Sequence, residues 1–182
     1  SILKIGNGGA GGSMPGTGVV TNNGVLLFNR TGSLMVSNAI HGIGVITNLG
    51  PGEVTLAGAN TFTNDIVVKS SATLATVSPT ALGNTLGRTI IENGATLDVN
   101  GTDVGTEWVV VKGAGVGGKG AIINSGVQQI SALQNVLLTG DVTFGGVGPN
   151  SLSGTNRWDI RGNGQLLTDP TNSPYNITKV GD

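Results

Sequence analysis

Short runs of alternating apolar and polar residues recur along the chain, and each run ends at a cluster of glycine and asparagine. Val54 and Leu56 alternate with polar neighbours, and residues 95–99 follow the same pattern. A period of two places the apolar side chains on one face of a β-strand. Glycine and asparagine reach positive φ at little cost, so pairs such as Asn93-Gly94 mark sharp turns. The sequence therefore predicts many short strands joined by tight turns.

The composition favours an all-β chain and excludes several other classes. Of the 182 residues, 33 are glycine, and poor helix formers disfavour a helical fold. A hydrophobic content of 37% argues against disorder. Nine basic and ten acidic residues give no electrostatic footprint for nucleic acid, and no apolar run approaches the roughly 18 residues of a membrane span. The absence of cysteine excludes a disulfide scaffold and a thiol nucleophile.

An internal repeat favours a β-solenoid over a closed sandwich or barrel. Ile-Thr-Asn-Leu-Gly at residues 46–50 returns as Ile-Thr-Lys-Val-Gly at residues 177–181. Each coil of a solenoid contacts only its neighbours, so such a chain can stop where another copy opens. We therefore expect residues 1–182 to be a single segment of a longer repeat protein, mature or excised, since no signal peptide is visible. Apolar spacing in residues 128–138 leaves a short helix as an alternative to a strand there.

The stretch from residue 24 to residue 82 carries a more specific signal. Residues 49–63 read Leu-Gly-Pro-Gly-Glu-Val-Thr-Leu-Ala-Gly-Ala-Asn-Thr-Phe-Thr, and Ile-Val-Val follows at 66–68. This stretch resembles the autotransporter-associated β-strand repeat, also called the passenger-associated transport repeat, with residues 44–75 as the repeat core. Asn64 stands where that family usually has glycine, and Phe62 where tyrosine is common. Neither departure breaks the strand pattern.

The resemblance implies an architecture and a location. The fold would be a right-handed parallel β-helix, exported and displayed at the bacterial surface or secreted. In that family the repeat is thought to aid export and to build a stalk, and it has no catalytic residues to carry over. At roughly 20–25 residues a coil, the chain would contain about seven to nine coils.

Two glycine-rich segments match phosphate-binding motifs only in part. Residues 113–120 follow a predicted strand, but Gly120 stands where a P-loop needs serine or threonine. Gly6, Gly8 and Gly11 fit the dinucleotide fingerprint by spacing, yet the residues that follow cannot open a helix. We therefore assign no cofactor. His41 is the only histidine, which excludes a multi-histidine metal site, and we interpret it as a loop residue.

The acidic residues are dispersed and indicate no catalytic pair. They are Glu53, Asp65, Glu92, Asp98, Asp103, Glu107, Asp141, Asp159, Asp169 and Asp182. The two catalytic carboxylates of a glycosidase can be far apart in sequence and close in space, so a pair formed on stacked coils remains an alternative. Arg157, Asp159 and Arg161 could together grip an anionic glycan. Alternation favours a simpler interpretation, in which both arginines pair with Asp159 on a solvated strand and Trp158 lies in the core.

These observations lead us to expect a structural segment, a stalk or adhesive scaffold, of a large secreted or surface-displayed bacterial β-helical protein, and not an enzyme. We assign no catalytic, cofactor-binding or metal-binding residue. The expected partners are further coils of the parent chain or copies of the chain that meet its open ends, with surface glycans as further candidates. The alternatives are a β-helical polysaccharide lyase or hydrolase, a glycan-binding module, and a trimeric tailspike-like fibre.

Overall fold

The computed structural model of the chain describes residues 1–14, 16, 18–146, 157–168 and 174–181. The described residues form β-strands with a single short 3₁₀ turn, Val116–Gly118, so the predicted all-β class is confirmed. The strands are β1 (Ile2–Ile5), β2 (Val19–Thr21), β3 (Val25–Phe28), β4 (Leu34–Val36), β5 (Ala39–His41), β6 (Val45–Asn48), β7 (Glu53–Leu56), β8 (Ile66–Val68), β9 (Thr73–Thr76), β10 (Arg88–Ile91), β11 (Thr96–Asp98), β12 (Trp108–Gly113), β13 (Ile122–Ile123), β14 (Gln129–Gly145), β15 (Trp158–Thr168) and β16 (Ile177–Val180).

The strands pair in parallel and wind into a β-solenoid, which confirms the predicted architecture. The solenoid has about six turns. What we call the first face contains β1, β3, β6, β8, β10, β12 and the middle of β14. The second face contains β4, β7, β9, β11, β13 and the end of β14, and β2 pairs with β5 on a third face. Parallel crossovers are right-handed in nearly all proteins, and a right-handed winding stays a prediction here.

The coil count is lower than the seven to nine that the sequence predicted, because the coils lengthen along the chain. Val25 pairs with Val45, which gives a coil of 20 residues. Trp108 pairs with Asn135, 27 residues on, because a loop is inserted after β12. The pairing of β12 with β14 stays in register from Trp108 to Val111 and shifts between Val111 and Gly113, where the inserted loop begins.

Columns of apolar side chains fill the bore of the solenoid. Because the strands stack in register, each inward position lies over its counterpart in the next coil. One such column on the first face contains Leu26, Ile46, Ile66, Thr89, Val109 and Val136, all essentially buried. Phe28 and Phe62 are also fully buried. The alternation seen in the sequence is therefore the alternation between bore and surface.

Buried asparagines connect neighbouring coils where no strand ladder runs. The Asn60 side chain accepts a hydrogen bond from the backbone of Ile40 (2.8 Å) and donates one to the carbonyl of Ala81 (2.7 Å). Asn124 accepts from Gly101 (2.7 Å). Each amide thus satisfies buried backbone groups of other coils, which a turn would otherwise leave unpaired.

Two sequence segments take conformations that spacing alone left ambiguous. Residues 129–138 belong to the long strand β14, so the alternative of a short helix there is wrong. The two copies of the internal repeat are both strands, but they lie on different faces. Ile46 belongs to β6 on the first face, whereas Ile177 pairs with Val142 on the second. The repeat core 44–75 supplies β6, β7, β8 and most of β9, and its identity as a repeat unit stays a prediction.

Replacing Gly58 with alanine should destabilise the solenoid. A Cβ at this position would overlap the carbonyl oxygen of Asn38 in the neighbouring coil. Overpacking of this kind typically costs about 1–3 kcal/mol, and we expect a loss in that range in urea unfolding followed by circular dichroism. Gly11→Ala is the matched control, since nothing lies within 4 Å of the added methyl. Equal effects from both substitutions would contradict the steric explanation.

Replacing Asn60 with alanine should also destabilise the fold, through hydrogen bonding. The substitution leaves the Ile40 N–H and the Ala81 carbonyl buried without a partner. An unsatisfied buried group costs about 1–3 kcal/mol, so thermal unfolding should shift clearly downward. Asn64 offers a control, because it is exposed and water can replace its bond to the Ile43 carbonyl. A smaller loss for Asn60→Ala than for Asn64→Ala would rule out this role.

Candidate functional site

A glycine-rich loop after β12 folds against the outer surface of the second face. The Thr96 hydroxyl holds both arms of this loop, because it accepts a hydrogen bond from the backbone of Val116 (2.9 Å) and donates one to the carbonyl of Gly120 (2.9 Å). The arms approach so closely that a Cβ at Gly115, where φ is 77°, would overlap Gly120. Only glycine allows this pinched geometry.

The loop forms one wall of a shallow groove of about 370 Å³. Its lining combines hydrogen-bonding and apolar side chains: Glu53, Thr73, Thr96, Asp98, Val116, Lys119, Ile123 and Ser125. Several of these side chains carry hydroxyl, carboxylate or ammonium groups, which suit a hydroxylated ligand. Residues 113–120 match a P-loop only in part, and in the structure this segment continues into the strand β13 and not into a helix.

Asp98 is held in place by the adjoining turn. It is 4% exposed and accepts hydrogen bonds from the backbones of Asn100 (2.8 Å) and Ser125 (3.0 Å). It also accepts one from the Ser125 hydroxyl. These bonds connect two coils and hold the Asp98 carboxylate in a fixed position at the floor of the groove.

Glu107 is buried inside the solenoid, which the sequence did not predict. It is 3% exposed, and its carboxylate accepts a hydrogen bond from the fully buried Thr89 hydroxyl (3.1 Å). Burial raises the pKa of Glu107 to about 8, since a charged carboxylate is poorly solvated there, and the Thr89 hydrogen bond offsets only part of this increase. The nearby charge of Asp65 raises it further. At neutral pH this carboxyl is therefore mostly protonated.

The surface carboxylates are engaged in separate local contacts. Glu92 forms an ion pair with Lys69. Asp141 accepts hydrogen bonds from the backbone and side chain of Asn176, which lower the pKa of Asp141. Asp103 caps a turn by accepting a bond from Gly105. Among the described residues, no group of three or more His, Asp or Glu side chains could hold a metal ion. Asp169 and Asp182 lie outside the described residues.

The charged strand at residues 157–161 has the predicted internal pairing. Both nitrogens of the Arg157 fork donate to Asp159, at 2.8 and 2.6 Å, and Arg161 donates to the same carboxylate at 3.0 Å. The hydrogen bond from Arg157 holds the pKa of Asp159 below its usual range. Trp158 packs edge-on against Phe144 at a centroid distance of 5.3 Å and donates to the Gly145 carbonyl. The two guanidinium groups thus have a common carboxylate partner.

His41 lies on a strand, not in the loop that the sequence predicted. It ends β5, and its Nδ1 hydrogen-bonds with the Thr61 hydroxyl of the next coil at 2.9 Å. The register places Thr21 beside it in the preceding coil. With hydroxyl neighbours on both sides, His41 belongs to a polar column on the outside of the third face.

Comparison with known proteins gives one informative similarity. Over 95 residues, which is 52% of the chain, the sequence is 32% identical to the adhesin BmaC autotransporter of Brucella suis biovar 1 (strain 1330). The chain spans about 3% of that adhesin's length. No protein-family model matches the chain, and no solved structure matches it. The chain is therefore a β-solenoid segment with sequence similarity to an autotransporter adhesin. No helix among the described residues is long and apolar enough to cross a membrane.

The buried Glu107 should make stability fall as pH rises. Its carboxyl has a pKa of about 8 in the folded chain against an ordinary value of 4.5, so the folded state holds more protons between these values. The contribution of Glu107 to the free energy of unfolding is therefore fully present below about pH 4.5. It is lost as pH rises from about 4.5 through about 8, by up to about 1.4 kcal/mol per pH unit.

The isosteric variant Glu107→Gln tests this directly. It keeps an oxygen to accept the Thr89 hydrogen bond but cannot ionise. In urea unfolding at pH 5, 7 and 9, the free energy of unfolding of the variant should increase relative to that of the wild type as pH rises. The difference should be largest at pH 9. Glu92→Gln controls for loss of an exposed carboxylate. A constant difference between Glu107→Gln and wild type across this range would refute the buried titration.

Proposed function

We propose that the chain is a structural and adhesive segment of a large bacterial β-solenoid protein displayed at the cell surface or secreted. The observation that carries this proposal is the parallel stack, in which each coil bonds to the coils before and after it. Such a stack makes a rod that can be extended by adding coils. The similarity to an autotransporter adhesin supports a surface location and an adhesive role.

The N-terminal edge of the stack has the character of a surface made for another coil. Leu3 lies in register with Leu26 at the start of the bore column, yet it is 55% exposed. The neighbouring depression of about 240 Å³ is lined by Val20, Thr21 and Leu26 among others. An open edge of this kind pairs readily with another strand. Further coils of the parent chain, or the end of another copy, are the proposed partners.

The groove beside the glycine-rich loop is the proposed ligand site. Its size suits one or two sugar rings, and the Thr73 hydroxyl, the Glu53 carboxylate and the Lys119 ammonium group can hydrogen-bond with sugar hydroxyls. Val116 and Ile123 add an apolar surface. We propose surface glycans as the ligand class. The described carboxylates are engaged in separate contacts, which gives no support to the alternative of a lyase or hydrolase.

The test is to incubate the purified chain with a panel of immobilised polysaccharides and to measure both retention and new reducing or unsaturated ends. We expect retention without cleavage. Lys119→Ala in the groove should weaken retention about tenfold, as expected when a charge-assisted hydrogen bond is lost. Lys4→Ala, an exposed lysine away from the groove, should leave it unchanged. Cleavage of any polysaccharide would overturn the non-enzymatic proposal, and retention unaffected by Lys119→Ala would remove the groove from it.

A further inference from the structure

The first face presents an apolar column to the outside as well as to the bore. The register stacks Leu27, Thr47, Val67, Ile90, Val110 and Leu137, whose side chains alternate with the buried bore residues and are partly exposed. The exposed Lys4 continues this column beyond Leu27, at the edge of the stack. Residues 109–111 and 137–138 are apolar at consecutive positions, so apolar side chains lie on both sides of the sheet. Val109 and Val111 fill the bore, whereas Val110 lies on the outer side and is only partly buried.

Two rims of contrasting character flank this apolar column. The rim at the start of the strands contains Val45, Asp65, Arg88, Trp108 and Asn135. The rim at their ends contains Leu49, Lys69, Glu92, Lys112 and Thr139. The two rim residues of each coil are four positions apart on one strand, which is about 13 Å. Arg88 and Glu92 therefore cannot pair within a coil, although their charges are opposite.

A second copy of the same face brings these rims together. A two-fold axis parallel to the solenoid axis places the starting rim of one copy against the ending rim of the other, at the same coil. The Lys69–Glu92 ion pair of one copy then faces the other copy, so that Glu92 lies opposite Arg88 and Lys69 opposite Asp65. The Trp108 ring faces Lys112, which suits a cation–π contact. In the coils of β6 and β14 an apolar pair, Val45 with Leu49, and a polar pair, Asn135 with Thr139, come together.

The opposite arrangement lacks this match. A two-fold axis perpendicular to the solenoid axis and centred on the coil of Ile90 sets Arg88 against Arg88 and Glu92 against Glu92. It also sets Lys69 against Lys112. Like charges that face each other across an interface are strongly unfavourable. An axis that lies between the coils of Val67 and Ile90 sets Asp65 against Arg88 and Lys69 against Glu92, but it places the Lys112 ammonium against the apolar Leu49. The pairing of Lys112 with Trp108 therefore favours two solenoids that run side by side in the same direction.

We propose that the first face is a lateral self-association surface, on which two copies of the chain pack in parallel about a two-fold axis. The apolar column supplies the contact and the rims supply alignment. Its footprint, from coil spacing and strand length, is on the order of 400 Å² per copy, below the usual size of a stable interface. The dimer of isolated chains is consequently weak. Copies held together on a surface would gain from many such contacts. This proposal does not depend on the glycan-binding proposal.

Lateral pairing can be separated from end-to-end stacking by the size of the product. A two-fold interface is closed, so association stops at the dimer, whereas end-to-end stacking continues to longer species. Sedimentation equilibrium of the 182-residue chain, up to about 1 mM, where weak dimers with millimolar dissociation constants are populated, should fit a monomer–dimer scheme. A monomer throughout would overturn the proposal, and so would growth beyond the dimer that is unchanged by the Val110 substitution described next.

Substitution of the central residue tests the face itself. Val110 meets its own copy at the two-fold axis, so Val110→Lys places two like charges in contact and should abolish the dimer. Val77→Lys is the matched control, because Val77 is 44% exposed and lies outside the first face. Circular dichroism and thermal unfolding establish that both variants fold. If Val110→Lys misfolds, Val110→Thr keeps the β-branched shape and should weaken association measurably. Dimerisation that survives the substitution in a folded variant would exclude this face.

Complementation by mixing tests the rim pairing and its direction. Arg88→Glu should weaken self-association about tenfold, because two attractive pairs become repulsive. Glu92→Lys should do the same. An equal mixture of the two variants should restore association, since every facing pair is then opposite in charge. Lys179→Glu, a charge reversal at an exposed position of β16 on the second face, should have no effect. Failure of the mixture to associate better than either variant alone would contradict the parallel arrangement.

Discussion

Backbone hydrogen bonding between parallel coils is the interaction on which the rest of this structure depends. It holds successive coils about 4.8 Å apart and places each residue over its counterpart. Every strand position thereby becomes a column, and a column must be chemically consistent along its length. Leu26, Ile46 and Ile66 satisfy this requirement in the bore. Where a polar residue enters such a column it needs a nearby partner, as Thr89 finds in Glu107 and Asn48 in the carbonyl of Thr73.

The same close spacing determines what the corners can contain. Backbone segments of neighbouring coils approach so closely at some turns that no Cβ fits, as at Gly58. Where strand ladders stop, an amide side chain such as that of Asn60 takes over the bonding between coils. The abundance of glycine and asparagine is thus a consequence of stacking. Insertions are accepted only if they leave the stack outward, and the loop after β12 does so while creating the groove beside Thr96.

Stacking also converts a one-dimensional pattern into a surface. Positions four residues apart on one strand, such as Arg88 and Glu92, become opposite edges of a flat face. The repetition of such pairs in successive coils gives that face a charge order that no single strand possesses. In the roles proposed above, the chain contributes length through its coils, ligand contact through its groove and alignment through its flat face. These three contributions agree with the adhesive scaffold proposed from the similarity to an autotransporter adhesin.

Much of the fold could be predicted from local chemistry. The alternation at residues 53–56 and 95–99, the turn residues and the scarcity of helix formers determined an all-β chain of short strands. The ion pairing of Asp159 with Arg157 and Arg161 could also be predicted from the sequence, because residues two positions apart on a strand lie on the same face. The stacking of coils was predicted from the internal repeat and from the resemblance to a known repeat family, since alternation alone does not distinguish a solenoid from a sandwich.

The tertiary structure decided what depends on register between distant residues. Nothing in the local sequence separates Glu107 from the nine other acidic residues, because its burial comes from the closure of the coil around Thr89. The groove required knowledge of where an inserted loop folds back. The number of coils differed from expectation because the coils lengthen after Trp108. The sequence by itself determined which residues can form strands and turns, since that choice is local. Only the tertiary structure decided which strands meet, since small shifts in coil length change every contact between coils.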